Sequence, residues 1–279
     1  MTTTLRPTGP LQLSDKGARS RHYEVCVNSR PVGTAHIETV PDFGTKVGRI
    51  TALRIDEADR RRGRGTVAAL AAEEVLRGWG CDQVTVSVPA DAEPARQLAT
   101  ALGYVERSRN MLKTLPSEPP ALPARGTVRP LTQSEYDAWR LKETASFAQS
   151  WLDQGFTAEQ ARAKSEASER NFLPAGLATP HTWISHLLHD GAPVGLLWLG
   201  RHEIAPGERV AFVFDVEVVE EQRGRGYGRA LMTLAERIAL RAGDTRIGLH
   251  VFAGNTPALR LYESLGYRTT SLYTYKQLL

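Results

Sequence analysis

The chain has 279 residues, 41% of them hydrophobic and 24% charged, with a net charge of +4. That length exceeds one ordinary domain and predicts two, each able to bury a core, while the composition argues against a disordered or fibrous protein. Apolar runs such as Val210 to Phe214 are strand-sized, and Met1 to Pro10 has no apolar targeting core, so a cytoplasmic protein without membrane association is expected. Cys26 and Cys81 lie in the same half without paired ligand spacing, which argues against a disulfide framework and a thiolate metal site.

In chain order, about twenty residues marked by proline and glycine come first, followed by predicted strands at Tyr23 to Val27, Val32 to Val40 and Val47 to Ile55. A helix is predicted over Thr66 to Arg77, a strand over Gln83 to Val88 and a helix over Pro94 to Leu102. Leu115 to Gly126 carries four prolines without apolar periodicity and reads as a linker. Two amphipathic helices, Ser134 to Gln149 and Thr157 to Phe172, open the second half. An antiparallel meander of His181 to His189, Val194 to Arg201 and Arg209 to Val218 follows, broken by the turn sequences Asp190-Gly191 and Ala205-Pro206-Gly207. Leu231, Leu234, Ala235 and Ile238 then mark one face of a helix ending near Gly243. Arg246 to Phe252 is a strand, Pro257 to Leu265 a helix and Ser271 to Leu278 a last strand.

The halves repeat one plan. Arg62-Gly63-Arg64-Gly65 matches Arg223-Gly224-Arg225-Gly226 at an offset of 161 (223 minus 62), and Leu102-Gly103-Tyr104 matches Leu265-Gly266-Tyr267 at 163 (265 minus 102). Expected domains are residues 1–115, a linker over 116–126, and 127–279.

The second glycine-arginine stretch, Arg223 to Arg229, follows an apolar strand and opens a helix. Glycines there admit close backbone approach, and the exposed amides with the helix dipole make an anion site, although an ordinary tight turn with solvated arginines has the same composition. Nucleotide-fold fingerprints match poorly, since no Gly-Lys-Ser/Thr ending is present and the loop follows a meander.

Here the sequence resembles the Gcn5-related N-acetyltransferase superfamily, whose pyrophosphate loop reads Arg/Gln-x-x-Gly-x-Gly/Ala. Arg223, Gly226 and Gly228 fill that pattern, and Asn255, Pro257, Ala258, Leu261, Tyr262, Leu265, Gly266 and Tyr267 fill the second hallmark. The resemblance implies an α/β (α+β) chain of two tandem domains, each a mixed, mostly antiparallel sheet flanked by helices. It also implies transfer of an acetyl group from acetyl-coenzyme A to a primary amine, on a small molecule or a peptide, by direct attack in the second domain. The implied coenzyme contacts are Val216, Val218, Arg223, Gly224, Arg225, Gly226, Tyr227, Gly228, Arg229, Asn255 and Ala258, with the Val218 amide, at a bulge, aimed at the thioester oxygen. Tyr262 holds the implied position of the general acid, and a phenol of ordinary pKa near 10 is protonated at neutral pH. Asn255 is equally readable as a helix cap. No metal is implied.

For the base, Asp215 and Glu217 alternate on one strand and share a face; Glu217 is the expected base, and the alternative is a carboxylate satisfied by a neighbouring arginine. Acidic residues of the front helices, including Glu135, Asp137, Glu143, Asp153 and Glu159, suit a cationic acceptor but also an ordinary solvated face.

The first half reads as degenerate. Aligned residue by residue, Val67 stands for Gly228, Ala92 for Asn255 and Ala99 for Tyr262, and there is no room for the two front helices. The expectation is one active site per chain, with the first domain packed on the catalytic one in a monomer or homodimer. A coenzyme-responsive, non-catalytic regulatory or interaction module is the alternative; nucleic-acid binding is not expected, because no basic sheet with interleaved aromatics is apparent.

Overall fold

The computed structural model describes residues 2–15, 17–40, 46–118, 121–122, 126–153 and 155–278, so positions 119–120 and 123–125 of the expected linker lie outside the described residues. The first half contributes β1 (Thr3–Pro7), β2 (Gln12–Leu13), β3 (Arg19–Val27), β4 (Arg30–Thr39), β5 (Val47–Ile55), α1 (Arg64–Gly78), β6 (Gln83–Pro89), α2 (Glu93–Ala101) and β7 (Val105–Thr114). The second contributes β8 (Gly126–Pro130), α3 (Gln133–Asp153), α4 (Ala158–Phe172), β9 (Trp183–His189), β10 (Ala192–Ala205), β11 (Glu208–Val218), α5 (Tyr227–Arg241), β12 (Arg246–Phe252), α6 (Thr256–Ser264) and β13 (Arg268–Gln277).

The chain divides into two compact units that differ from its two sequence halves. One comprises Met1–Arg107, Gln154–Lys164 and Ser271–Leu279; the other comprises Ser108–Asp153 and Ser165–Thr270. In the first unit the strand order is β1-β3-β4-β5-β6-β13, with β2 paired to β3. In the second it is β7-β12-β11-β10-β9-β8. Each unit therefore ends on the last strand of the other half: Ser271 to Gln277 of β13 pairs antiparallel with β6, and Ser108 to Thr114 of β7 pairs antiparallel with β12. The expected strand over Ser271 to Leu278 exists, in a sheet its own half does not build.

Packing follows the apolar patterns. Ala68, Ala69, Ala72 and Leu76 bury one face of α1, and Ala72 and Leu76 pack with Ile37, Ile50 and Val84 of the first unit. In the second unit Leu231, Leu234, Ala235 and Ala239 of α5 pack with Leu197, Leu199, Val213, Ile247 and Leu249. Both helices carry a glutamate into this apolar contact, Glu73 and Glu236, which are 3% and 2% exposed. A buried carboxylate needs a partner, and each receives a lysine from the exchanged strand. Lys276 of β13 lies 2.7 Å from Glu73 Oε2, and Lys113 of β7 lies 2.7 Å from Glu236 Oε1.

The backbone corrects the repeat alignment. Starting at Arg64 and Tyr227, Glu93 and Thr256, Gln83 and Arg246, and Val105 and Arg268, equivalent elements all differ by 163 (227 minus 64), not 161. Gly63 and Gly226 are then both left-handed residues preceding a helix, with φ of 72° and 85°, and Arg61 at 56° matches Gly224 at 76°. Gly65, not Val67, stands with Gly228. A side chain at either glycine would meet the same neighbours, since Cβ would lie 3.5 Å from Leu98 and 3.9 Å from Ile55 at Gly65, and 3.1 Å from Leu261 and 3.9 Å from Val218 at Gly228. The approach is tight only at Gly228; at Gly65 it is an ordinary van der Waals contact.

A chain beginning at Thr127 lacks β7, leaving the β12 edge bare and Glu236 without its lysine. It is expected to lose about 3–5 kcal/mol of stability, the cost of unpairing a buried charge. Denaturant unfolding of the two chains side by side measures this, and equal stability would show that β7 is dispensable.

Candidate active site

The helix α5 starts without a side-chain cap. Its first amides have no intrahelical acceptor, and the left-handed Gly226 turns them outward at the positive end of the dipole. Arg223, Gly224, Arg225 and Gly226 are exposed around this end, while Tyr227 is half-buried. The Arg223 side chain donates to the Val218 carbonyl at 3.4 Å, and Arg229 donates to Ser264 Oγ at 2.7 Å. The loop thus offers amides and cationic side chains together, which fits a pyrophosphate.

The strand ahead of the loop opens the sheet. β11 and β12 run parallel only over Ala211 to Val213 and Ile247 to Leu249, and beyond that β11 stays paired with β10. The bulge expected at Val218 lies earlier: Trp198 faces Asp215 and Leu199 faces Val213, leaving Phe214 as the extra residue. Val218 faces Gly195 in regular register. The Val219 amide donates to the Val194 carbonyl at 3.0 Å. Alternation along the strand turns the amides of Val216 and Val218 to the opposite side, where β12 has diverged. The same features recur in the first unit, where β5 and β6 pair only over Val47 to Ile50, Thr51 is the bulged residue, and Asp56 donates to Val32 at 2.9 Å.

Tyr262 lies on α6, 8% exposed, among the core residues of the second unit. Burial, and then the negative charge of Asp215, push its hydroxyl up to about 12, so it keeps its proton throughout the physiological range. Asn255 caps this helix, its Oδ1 accepting the Ala258 amide at 3.2 Å. The first unit has Ala92 and Ala99 at the equivalent places, without a cap bond and without a proton donor.

Asp215 and Glu217 share the face that carries Leu196 and Trp198, as strand alternation predicts. Glu217 is satisfied by a cation, though by Lys142 of α3 rather than by an arginine. Glu143, one of five front-helix acids noted in the sequence, joins them. Its carboxyl is raised by burial and by the charges of Asp215 and Glu217, against the pull of Lys142. Asp215 is likewise raised by burial and by Glu217; Trp139, Lys142 and the Val216 amide act the other way. Only the three-dimensional approach of α3 to β11 separates Glu143 from the other acids of that helix. A cavity of about 640 Å³, bordered by Phe172, Pro174, His181, Arg201, His202 and Phe214, adjoins the Asn171 to Pro180 loop. Among the described residues, no group of three or more His, Cys, Asp or Glu is placed to hold a metal ion, and no helix is long and apolar enough to cross a membrane.

The profile of the acetyltransferase (GNAT) family matches residues 4–104 and 137–267, together well over half of the chain. An uncharacterized N-acetyltransferase of Bacillus subtilis (strain 168), YdgE, is 34% identical over 155 residues, covering 54% of this chain and 98% of its own length. A mycothiol acetyltransferase of Thermomonospora curvata is 29% identical over 261 residues, covering 91% of this chain and 81% of that protein. Among solved structures, a GCN5-related N-acetyltransferase from Sphaerobacter thermophilus superposes with a TM-score of 0.57 at 21% identity, covering 92% of this chain and 80% of that one. A tandem GNAT protein from the clavulanic acid biosynthesis pathway gives a TM-score of 0.52 at 19% identity, covering 93% and 83% respectively. Both share the fold.

The raised carboxyls carry a signed consequence. A folded-state pKa above the unfolded value of about 4 means that the folded chain binds protons the unfolded chain has released, so these groups lower stability as pH rises from that value through their raised ones. The double variant Asp215→Asn, Glu143→Gln is therefore expected to gain stability relative to wild type between about pH 5 and 8. Urea unfolding across that range tests it, and parallel curves would mean the two groups are not perturbed.

Proposed function

The chain belongs to the acetyltransferase (GNAT) family and is an N-acetyltransferase, and on that premise we propose that it transfers an acetyl group from acetyl-coenzyme A to a primary amine at a single active site in the second unit. One observation carries this reading. The second unit has both the open β11 edge with its glycine-turned helix start and a buried, protonated Tyr262, whereas the first has the edge and the helix start but Ala99 in place of the tyrosine.

Acetyl-coenzyme A supplies the acetyl group as a thioester. The amides of Gly226 to Arg229 and the side chains of Arg223 and Arg225 would hold its pyrophosphate, and Val216 and Val218 would line the arm. The Val218 amide would stabilise the negative charge that develops on the carbonyl oxygen. Asn255 and Ala258 support the site through the α6 cap. As the amine nitrogen bonds to the acyl carbon and the carbon–sulfur bond breaks, the amine's proton passes to the β11 carboxylates and Tyr262 Oη gives its proton to the departing thiolate. Of the two carboxylates, Asp215 has the raised affinity suited to accepting a proton near neutrality, while Glu217 is held by Lys142. The cavity beside Phe214, the residue that precedes Asp215, offers the acceptor an approach.

A second reading concerns the first unit. Arg60, Gly63 and Gly65 fill the same Arg-x-x-Gly-x-Gly pattern once the repeat is set at 163, which supports coenzyme binding there without transfer. Val67, on this register, is no obstacle.

Two measurements follow. Tyr262→Phe is expected to lower turnover about 10²-fold or more with little change in coenzyme affinity. Turnover is read by thiol release across a panel of amino acids, amino sugars, polyamines and short peptides; full activity in the variant would remove Tyr262 from the mechanism. Calorimetry with coenzyme A is expected to give two equivalents per chain, falling to one in Gly65→Val, and a wild-type stoichiometry of one would reject the second reading.

A further inference from the structure

Tyr262 is fixed from behind by a chain of contacts that starts on a strand of the first half. The Tyr267 amide donates to the Tyr262 carbonyl at 3.0 Å, closing the turn that ends α6 at the left-handed Gly266. The two rings pack with centroids 6.0 Å apart. Tyr267 is 2% exposed, its buried hydroxyl has no hydrogen-bond partner among the described residues, and burial and then the charge of Glu236 raise that hydroxyl well above the ordinary value, so that the phenol stays protonated. Glu236 is paired with Lys113 at 2.7 Å, and that ammonium also lies 5.7 Å from the centre of the Tyr267 ring. Lys113 belongs to β7.

We propose that Lys113 is a positioning residue for the acetyl-transfer reaction, holding Tyr262 in place through Tyr267, over whose ring Glu236 keeps the ammonium; this rests on the reading of Tyr262 as the general acid. The second unit would then depend on the first half of the chain for catalysis as well as for a sheet edge. Without the lysine, Glu236 is a buried carboxylate that must take up a proton or draw in water. The ammonium packed on the Tyr267 ring is lost at the same time, and the turn and ring that support Tyr262 lose their fixed reference. Displacement of an acid by a fraction of an ångström lowers turnover and leaves the amides and arginines of the coenzyme loop in place.

The repeat contains its own control. In the first unit Lys276 lies 2.7 Å from Glu73 and 5.8 Å from the centre of the Tyr104 ring, and Tyr104 Oη donates to Glu73 at 2.9 Å. The Tyr104 amide donates to the carbonyl of residue 99 at 3.0 Å, as Tyr267 does to residue 262. That residue is Ala99. Lysine, glutamate and tyrosine therefore gather behind a proton donor in one unit and behind an alanine in the other, although only Tyr104 bonds its glutamate through the hydroxyl. A purely structural role predicts like effects from losing either lysine, whereas a positioning role predicts a kinetic effect from Lys113 alone.

The test compares full-length Lys113→Met, Lys113→Arg and Lys276→Met in thermal unfolding and in steady-state kinetics, using acetyl-coenzyme A and the best acceptor from the amine panel. Both methionine variants are expected to lower Tm. Only Lys113→Met is expected to lower kcat, by about tenfold or more, with the coenzyme KM held within about twofold. Lys113→Arg should recover most of the loss. In a Tyr262→Phe background, Lys113→Met should add little, because the residue it positions has lost its proton. Should Lys113→Met not fold, the charge-free pair Lys113→Gln with Glu236→Gln replaces it, with the same kinetic expectation. Wild-type kcat in a folded Lys113 variant, an equal loss in Lys276→Met, or a full further loss in the Tyr262→Phe background would each overturn the proposal. Impaired Tyr262→Phe beside an unimpaired Lys113→Met would leave the acid in place and reject only its support, whereas an active Tyr262→Phe would reject the acid itself.

Discussion

A glutamate buried on the sheet-facing side of a helix is the constraint on which each unit depends. Glu73 and Glu236 sit where the apolar face of α1 or α5 meets the sheet, and both are almost fully shielded from water. An isolated carboxylate in that place would cost several kcal/mol or surrender its charge. The fold answers with a lysine on the outer neighbouring strand, and that strand comes from the other half of the sequence. The ion pair therefore selects register as well as charge: slipping β7 or β13 by one residue would turn the lysine to the opposite face and leave the glutamate alone. Each half of the sequence specifies a sheet that it cannot finish.

Much of this architecture can be read from the chain, for identifiable reasons. The meander β9 to β11, the helices α5 and α6 and their first-half counterparts have apolar residues at the spacing of their own secondary structure, and their ends are marked by Gly243, Pro257 and Pro94. The exchanged strand β7 has no such signature. Its sequence, Val105 to Thr114, holds only three apolar residues in ten, and its buried positions include Arg107 and Ser108, so neither alternation nor hydrophobicity announces it. Arg107 is tolerated because it is stacked between the rings of Phe156 and Tyr275 and donates to Gln83 Oε1, partners that no local pattern reveals.

The repeat shows a different limit. An identical tetrapeptide, Arg-Gly-Arg-Gly, draws the alignment to an offset of 161, whereas backbone conformation requires 163. Arginine is so abundant between 60 and 64 that identity there carries little positional information. The left-handed residue before each helix carries more, because it decides where the amides of the first turn point. Once Gly63 is matched to Gly226, the first unit retains the loop and the open strand edge, and its loss narrows to the front helices and to the cap and the donor at Ala92 and Ala99. Likewise the bulge falls at Phe214, although the amide expected to serve the thioester, that of Val218, still faces the gap by strand alternation.

Acid and base chemistry at neutral pH requires a group that keeps its proton next to one that can gain it. In the second unit one physical cause serves both ends. Burial disfavours the charged form of any group, so it raises the tyrosine hydroxyl and the carboxyls alike. In the proposed reaction this keeps the proton of Tyr262 present for a departing thiolate and increases the affinity of Asp215 for a proton from the amine. The coupling reinforces the arrangement, since the negative charge of Asp215 is itself one of the reasons Tyr262 stays protonated. Glu217 tunes the Asp215 carboxylate from one side and Trp139 and Lys142 from the other, and Asp215 and Glu217 in turn raise Glu143, so the front helix α3, missing from the first half, brings side chains that act on β11 from outside the sheet. A unit with the glycine-turned loop but without α3 would lack this electrostatic frame even if a tyrosine were restored at position 99, which is why the proposed chemistry is assigned to the second unit alone.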